Sequence, residues 1–137
     1  MLNDKDCREL SKLRFENAVN TMSEAEDLFA LGRYKGTINR TYYAILYSVR
    51  AVIAFDGTDF KRHKTVMSHF NKEYVHKGLF PKEFGRFTGE IQKIREKSDY
   101  DDFFIASRED AQRQLEGARI FIEKVRSYLK EKNVDMN

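Results

Sequence analysis

The chain of 137 residues is short of turn formers, cysteine and tryptophan: it has one proline, seven glycines, one cysteine and no tryptophan. A single thiol, Cys7, excludes an internal disulfide framework and any multi-cysteine zinc site. Sparse proline and glycine argue against a sandwich, a barrel or a loop-rich scaffold, and favour long helices. Neither sign of charge dominates. Lys and Arg number 25 against 22 Asp and Glu, a net +3, too balanced to mark a dedicated nucleic-acid binder. Long apolar runs are also missing. The most apolar window, residues 41–55, is interrupted by Arg50 and is shorter than the ~20 residues a membrane-spanning helix needs. The opening MLNDKDCREL carries acids and no apolar core, unlike a secretory signal. A cytoplasmic protein that does not enter a membrane is expected. Familiar catalytic signatures are absent too. No two glycines have the spacing of a phosphate-binding loop or a dinucleotide fold, and there is no Gly-x-Ser-x-Gly elbow. Cys7 reads as an inert thiol. His69 and His76, seven positions apart, would share a helix face about 10 Å apart, with His63 off that face. No metal site and no cofactor are expected.

What is present is helical periodicity over one domain, residues 1–137. Leu10, Leu13, Ala18, Ala25 and Leu28/Phe29 recur at threes and fours, predicting a first long helix. It should end near Leu31-Gly32, where glycine can take the left-handed conformation. Ile38, Tyr42, Ile45/Leu46, Val49 and Val52/Ile53 continue in a second helix, so close that the two must pair antiparallel. A third, shorter helix carries Val66, Met67, Phe70 and Tyr74 and stops at Gly78. Pro81 suits the first turn of a fourth helix, which buries Phe84, Phe87, Ile91 and Ile94. The polar run from Ser98 to Asp102 is expected to be its frayed end or a loop. Ser107 and Asp110 have the spacing of a capping box, with Asp for the usual Glu or Gln. The last helix buries Ala111, Leu115, Ala118, Ile122, Val125 and Leu129. The class is all-α, with five helices around one core.

Three features carry chemistry. From Lys61 to Lys77 lie five cations (Lys61, Arg62, Lys64, Lys72, Lys77), one anion, Glu73, and all three histidines. They form either a solvated helix face or a patch facing phosphate or an acidic partner. On the second helix the stripe Ile38, Tyr42, Ile45 and Val49 leaves Arg40, Tyr43, Tyr47 and Arg50 on its flank. Tyr43 and Tyr47, one turn apart, either stack on a base or a second subunit or simply edge the core. Asp99, Asp101 and Asp102 could hold a magnesium ion with a phosphate ligand, although a turn of solvated carboxylates is the preferred reading.

The stretch Asn39-Arg40-Thr41-Tyr42-Tyr43-Ala44-Ile45-Leu46-Tyr47 resembles the second helix of the HEPN superfamily, in its small stand-alone branch. His63-Lys64 before Phe70, then Gly78-Leu79-Phe80-Pro81, then Arg95 and Asp99-Tyr100-Asp101-Asp102-Phe103 follow in the same order. The resemblance runs from about Leu10 to Leu129 and implies an up-and-down bundle of four or five helices. It also implies several functions. Many HEPN proteins are metal-independent ribonucleases that act as toxins or in defence. They dimerise, and an Arg followed four to six residues later by His lines the cleft between subunits. Others pair with a minimal nucleotidyltransferase that neutralises them, or only bind nucleotides or partners.

Here Arg95 takes the place of the motif arginine, and five positions on stands Tyr100 instead of histidine. A tyrosine titrating near 10 is ionised in about one molecule per thousand at neutral pH, a deficit of about 4 kcal/mol for general-base work. Tyr100 could instead donate a hydrogen bond to a phosphate clamped by Arg95, or accept a nucleotide transferred by the partner enzyme. The expectation is a regulatory module that dimerises and holds a nucleotide or RNA phosphate through Arg95, Tyr100, Arg40, Tyr43, His63, Lys64, Asp99 and Asp101. The rivals are an RNA-cleaving toxin, with His63 or another distant histidine as base, and a purely structural helical adaptor.

Overall fold

The computed structural model describes residues 3–134. Helix α1 spans Asp4–Ala30 and α2 spans Tyr34–Phe55. Helix α3 covers His63–Phe70 and runs directly into a π-helical turn, Asn71–Val75. Helix α4 spans Lys82–Tyr100 and α5 spans Arg108–Glu131. The all-α bundle of five helices expected from the periodicity is the observed one.

Local chemistry sets the ends. The Asn3 side chain accepts the Asp6 N–H at 2.8 Å and starts α1, where Asp4 and Asp6 also complement the helix dipole. Gly32, at φ +74°, turns the chain between α1 and α2, a conformation that would strain a residue with a Cβ. Ser107 caps α5 by accepting the Asp110 N–H at 3.0 Å, as its spacing predicts.

Helix α2 is the centre of the molecule and packs against α1, α3, α4 and α5. Ile38, Tyr42, Ile45, Leu46, Val49, Val52 and Ile53 are all buried on it. Its buried threonines bond back along the helix: Thr37 donates to the Arg33 carbonyl at 2.9 Å and Thr41 to that of Thr37 at 2.7 Å. The six residues expected to anchor α5 are buried as predicted.

Four expectations change. On α1 the inward stripe is Cys7, Ser11, Phe15, Ala18, Met22 and Ala25, and Leu13 faces outward. Ser11 can occupy the core because its hydroxyl donates to the Ala51 carbonyl at 2.7 Å, which removes the penalty for a buried polar group. On α4, Phe84 and Ile91 are buried whereas Phe87 and Ile94 are half-buried. The segment read as a frayed end is helical as far as Tyr100, with Ser98 buried on its inner side. Finally, the π-turn separates two histidines expected on one face. His69 packs on Phe60 and Tyr74, with ring centroids 5.0 and 6.2 Å away, while His76 opens onto a groove against α4.

Candidate functional site

The site forms where α2, the first residue of α3 and the C-terminal half of α4 meet. Tyr42 and Tyr43 are neighbours on α2, about 100° apart around the helix. Tyr42 therefore points into the core and Tyr43 lies half-buried at its edge. Arg95 reaches across from α4 and places its guanidinium over both rings, 4.8 Å from the Tyr42 centroid and 5.7 Å from that of Tyr43. Its Nη2 donates to the Tyr43 hydroxyl at 3.3 Å. Its Nε lies 3.1 Å from Asp99 Oδ2, but the N–H is not aligned with that oxygen and goes without a hydrogen bond. Charge attraction, not a well-aligned hydrogen bond, holds this pair, one turn apart on the helix. Among the described residues Nη1 has no acceptor, and it keeps contact with solvent. The arginine is thus braced on its inner side and has a donor available outward.

His63 completes the cluster. Its Nδ1 shares a hydrogen bond of 3.2 Å with the Tyr42 hydroxyl, and its ring meets that of Tyr43 edge-on at 5.8 Å. Burial, then the positive charges of Arg50 and Arg95, hold the imidazole below its ordinary titration range. The ring is therefore neutral at physiological pH. Burial raises the Tyr42 phenol, against the opposing pull of Arg95, so Tyr42 stays protonated.

Arg40 also faces Tyr43, its guanidinium 5.0 Å from the ring centroid, and its Nε and Nη2 donate to Asn39 Oδ1 at 3.1 and 2.9 Å. Two guanidiniums thus lie within cation–π range of one phenol ring. Tyr47 packs beside it at 6.1 Å. Arg50, on the same flank, is paired with Asp59 at 3.0 Å, which also binds Arg14 of α1 at 2.9 Å. Lys64, next to His63, reaches Glu96, next to Arg95, at 3.8 Å.

The residues singled out in the sequence therefore divide. Arg40, Tyr43, His63, Arg95 and Asp99 come together, with Lys64 at the edge. Tyr100 does not join them. Five residues beyond Arg95 it sits about 140° further round the helix, and it is 78% exposed. Within one chain, the phenol rings beside the guanidinium are those of Tyr42 and Tyr43. Asp101 lies past the end of α4, where its Oδ1 accepts the Phe103 N–H at 2.9 Å and shapes the turn. Asp99 is thus paired with Arg95 and Asp101 with the backbone. Among the described residues, no group of three or more His, Cys, Asp or Glu side chains is placed to hold a metal ion. Tyr42 was missed as a site residue because its period places it in the core stripe. The available signal was a phenol at a buried position, which needs a polar partner. Glu96 gave no signal, since its role depends on how α3 docks.

The arrangement fits anion binding: a fixed guanidinium with an outward donor, a second cation nearby, and a neutral imidazole that can donate or accept a hydrogen bond. Two proteins of Methanocaldococcus jannaschii that carry the name "Putative toxin" are 30% and 29% identical to the chain, over 127 and 128 residues. Each alignment covers 93% of the chain, and 86% and 95% of the respective relative. A UPF0332 protein of Thermotoga maritima is 27% identical over 114 residues, covering 83% of the chain and 86% of that protein. The HEPN domain matches residues 11–128, a span that includes every residue of the cluster, and the chain belongs to the HEPN domain family.

Proposed function

We propose that this protein is a toxin-like HEPN module that binds the phosphate of RNA or of a nucleotide at Arg95, acts as a dimer, and pairs with a minimal nucleotidyltransferase. The observation that carries the reading is the state of Arg95. Its guanidinium is oriented by Tyr42, Tyr43 and Asp99 while Nη1 stays open to solvent. A guanidinium fixed in advance loses less side-chain freedom on binding phosphate than a mobile lysine does. The toxin-like part of the proposal draws on the names of the two archaeal relatives.

The proposed interface includes the end of α4 and the loop after it. Tyr100, Phe103 and Ile105 are 78%, 93% and 86% exposed, a concentration of apolar surface that suits a second copy or a partner protein. The exposed Tyr100 phenol is the proposed acceptor for a nucleotide transferred by the partner. Co-expression with a minimal nucleotidyltransferase, followed by mass spectrometry, tests this. The expected result is one added nucleotidyl group that Tyr100→Phe abolishes. An unmodified protein contradicts it.

One observation favours a second reading, an RNA-cleaving toxin. His63 is neutral and lies in the same cluster as Arg95, so it could take a proton from a ribose hydroxyl while Arg95 stabilises the pentavalent phosphate. Incubation with RNA in EDTA separates the two. Cleavage that disappears in both Arg95→Ala and His63→Ala supports the toxin. Intact RNA at high protein concentration, with binding retained, supports the module.

A further inference from the structure

We propose that the groove between α3, the π-turn and α4 is a track for successive phosphates of single-stranded RNA, continuing outward from the Arg95 cluster. The inference rests on the phosphate-binding reading of Arg95 and adds a ligand class: an oligonucleotide, not a mononucleotide. The groove encloses about 580 Å³. One wall carries Lys64, Lys72 and His76, and the other carries Lys93 and Gln92. Both walls run about 12 Å, from Lys64 to Lys72 and from Thr88 to Glu96, at the rise of a helix. Among the lining residues Glu96 is the one acid, and Lys64 already faces it at 3.8 Å. Lys72 and Lys93 have no carboxylate partner among the described residues, and both are exposed.

The chemistry of the lining selects the part of RNA it would hold. No Phe, Tyr or Trp side chain lines the groove, so it lacks the run of large aromatic rings on which single-strand binding sites stack successive bases. Lysines, a histidine and the amides of Asn71 and Gln92 supply donors instead, which suit phosphate oxygens. The π-turn makes this possible by bringing His76 onto the groove while His69 stays packed on Phe60 and Tyr74. The groove is lined at one end by Lys64 and Glu96, the sequence neighbours of His63 and Arg95, although no residue of the cluster lines the groove itself. A strand with one phosphate at Arg95 would pass the Lys64–Glu96 pair and place later phosphates by Lys93 and Lys72.

Fluorescence anisotropy with a labelled RNA of about ten nucleotides and with a dinucleotide, across a salt series, tests the track. The proteins compared are the wild type, Lys72→Gln/Lys93→Gln and Arg95→Ala, with circular dichroism to check folding. The double variant should lose roughly tenfold in affinity for the longer RNA, and its salt slope should fall by about 1.4. Its dinucleotide binding should be unchanged, whereas Arg95→Ala should weaken both ligands. A double variant with unaltered affinity and slope overturns the track and leaves the Arg95 reading standing. Equal losses for both RNAs also overturn it, since they mark a local site. Loss in the double variant but not in Arg95→Ala keeps the track and removes Arg95 from it. A wild type that binds neither RNA at low salt overturns both.

Discussion

Arg95 and His63 are the residues on which the account turns, and each makes a separate prediction. Arg95 is held by two aromatic faces, a phenol oxygen and a carboxylate. Lysine at this position keeps the charge but loses the planar, multi-donor contacts. Arg95→Lys should therefore weaken phosphate binding about as much as Arg95→Ala, within a few-fold, which a binding titration reads directly. For His63 the folded state lowers the proton affinity, while the unfolded chain protonates near 6.5. Below that pH the unfolded state binds more protons. The stabilisation is thus intact above about 6.5 and is lost as pH falls through the lower folded value. An NMR titration should place the His63 midpoint below that of a peptide histidine, and denaturation midpoints should fall in mildly acidic solution. The residue scale is also where the sequence was hardest to read. Arg95, Tyr43 and His63 could be picked as candidates, but their meeting depends on a crossing of α2 and α4 that local pattern does not encode. The pairing of Tyr100 with Arg95 came from the family resemblance and concerned a cleft between two subunits; within one chain, positions five apart on a helix point about 140° apart.

At the level of elements, periodicity was a better guide. The α5 stripe, the Ser107 cap and the α1–α2 turn at Gly32 are local properties, and all three are found where the pattern places them. The α1 stripe was misread at Ser11 and Leu13, since hydrophobicity cannot anticipate a hydroxyl that donates to a backbone carbonyl on another helix. Two contacts between elements lead to stability predictions. Gly117 on α5 lies so close to Phe87 of α4 that an added Cβ would come within 2.3 Å of the ring. Gly117→Ala gains about 1 kcal/mol of helix propensity, but displacing a ring packed on Phe121 costs about 1–3 kcal/mol. Net destabilisation is expected, with a lower urea midpoint and an unchanged slope. Likewise, the Tyr74 hydroxyl at the π-turn donates to Asp56 at the end of α2. Burial and then Asp56 push this phenol upward, so its contribution persists below about pH 10 and fades in stronger alkali. Tyr74→Phe should cost about 1–3 kcal/mol and flatten that alkaline loss in thermal melts.

For the whole molecule, the central position of α2 explains how one small bundle supports a surface site. Its inner face forms the core, and its edge holds Arg40 and Tyr43 where α3 and α4 dock. Leu46, 1% exposed at the middle of this helix, should cost about 2–5 kcal/mol when replaced by alanine, a large share of the stability of a domain this size. No helix of the described residues is long and apolar enough to cross a membrane. The central claim is that Arg95 and His63 form one phosphate-binding unit, and side-chain NMR tests it most directly. During titration with a short RNA, the Arg95 Nε–H and the His63 ring signals should shift together along one saturable curve. If both stay in place while the RNA binds, the phosphate is held elsewhere and the account is wrong.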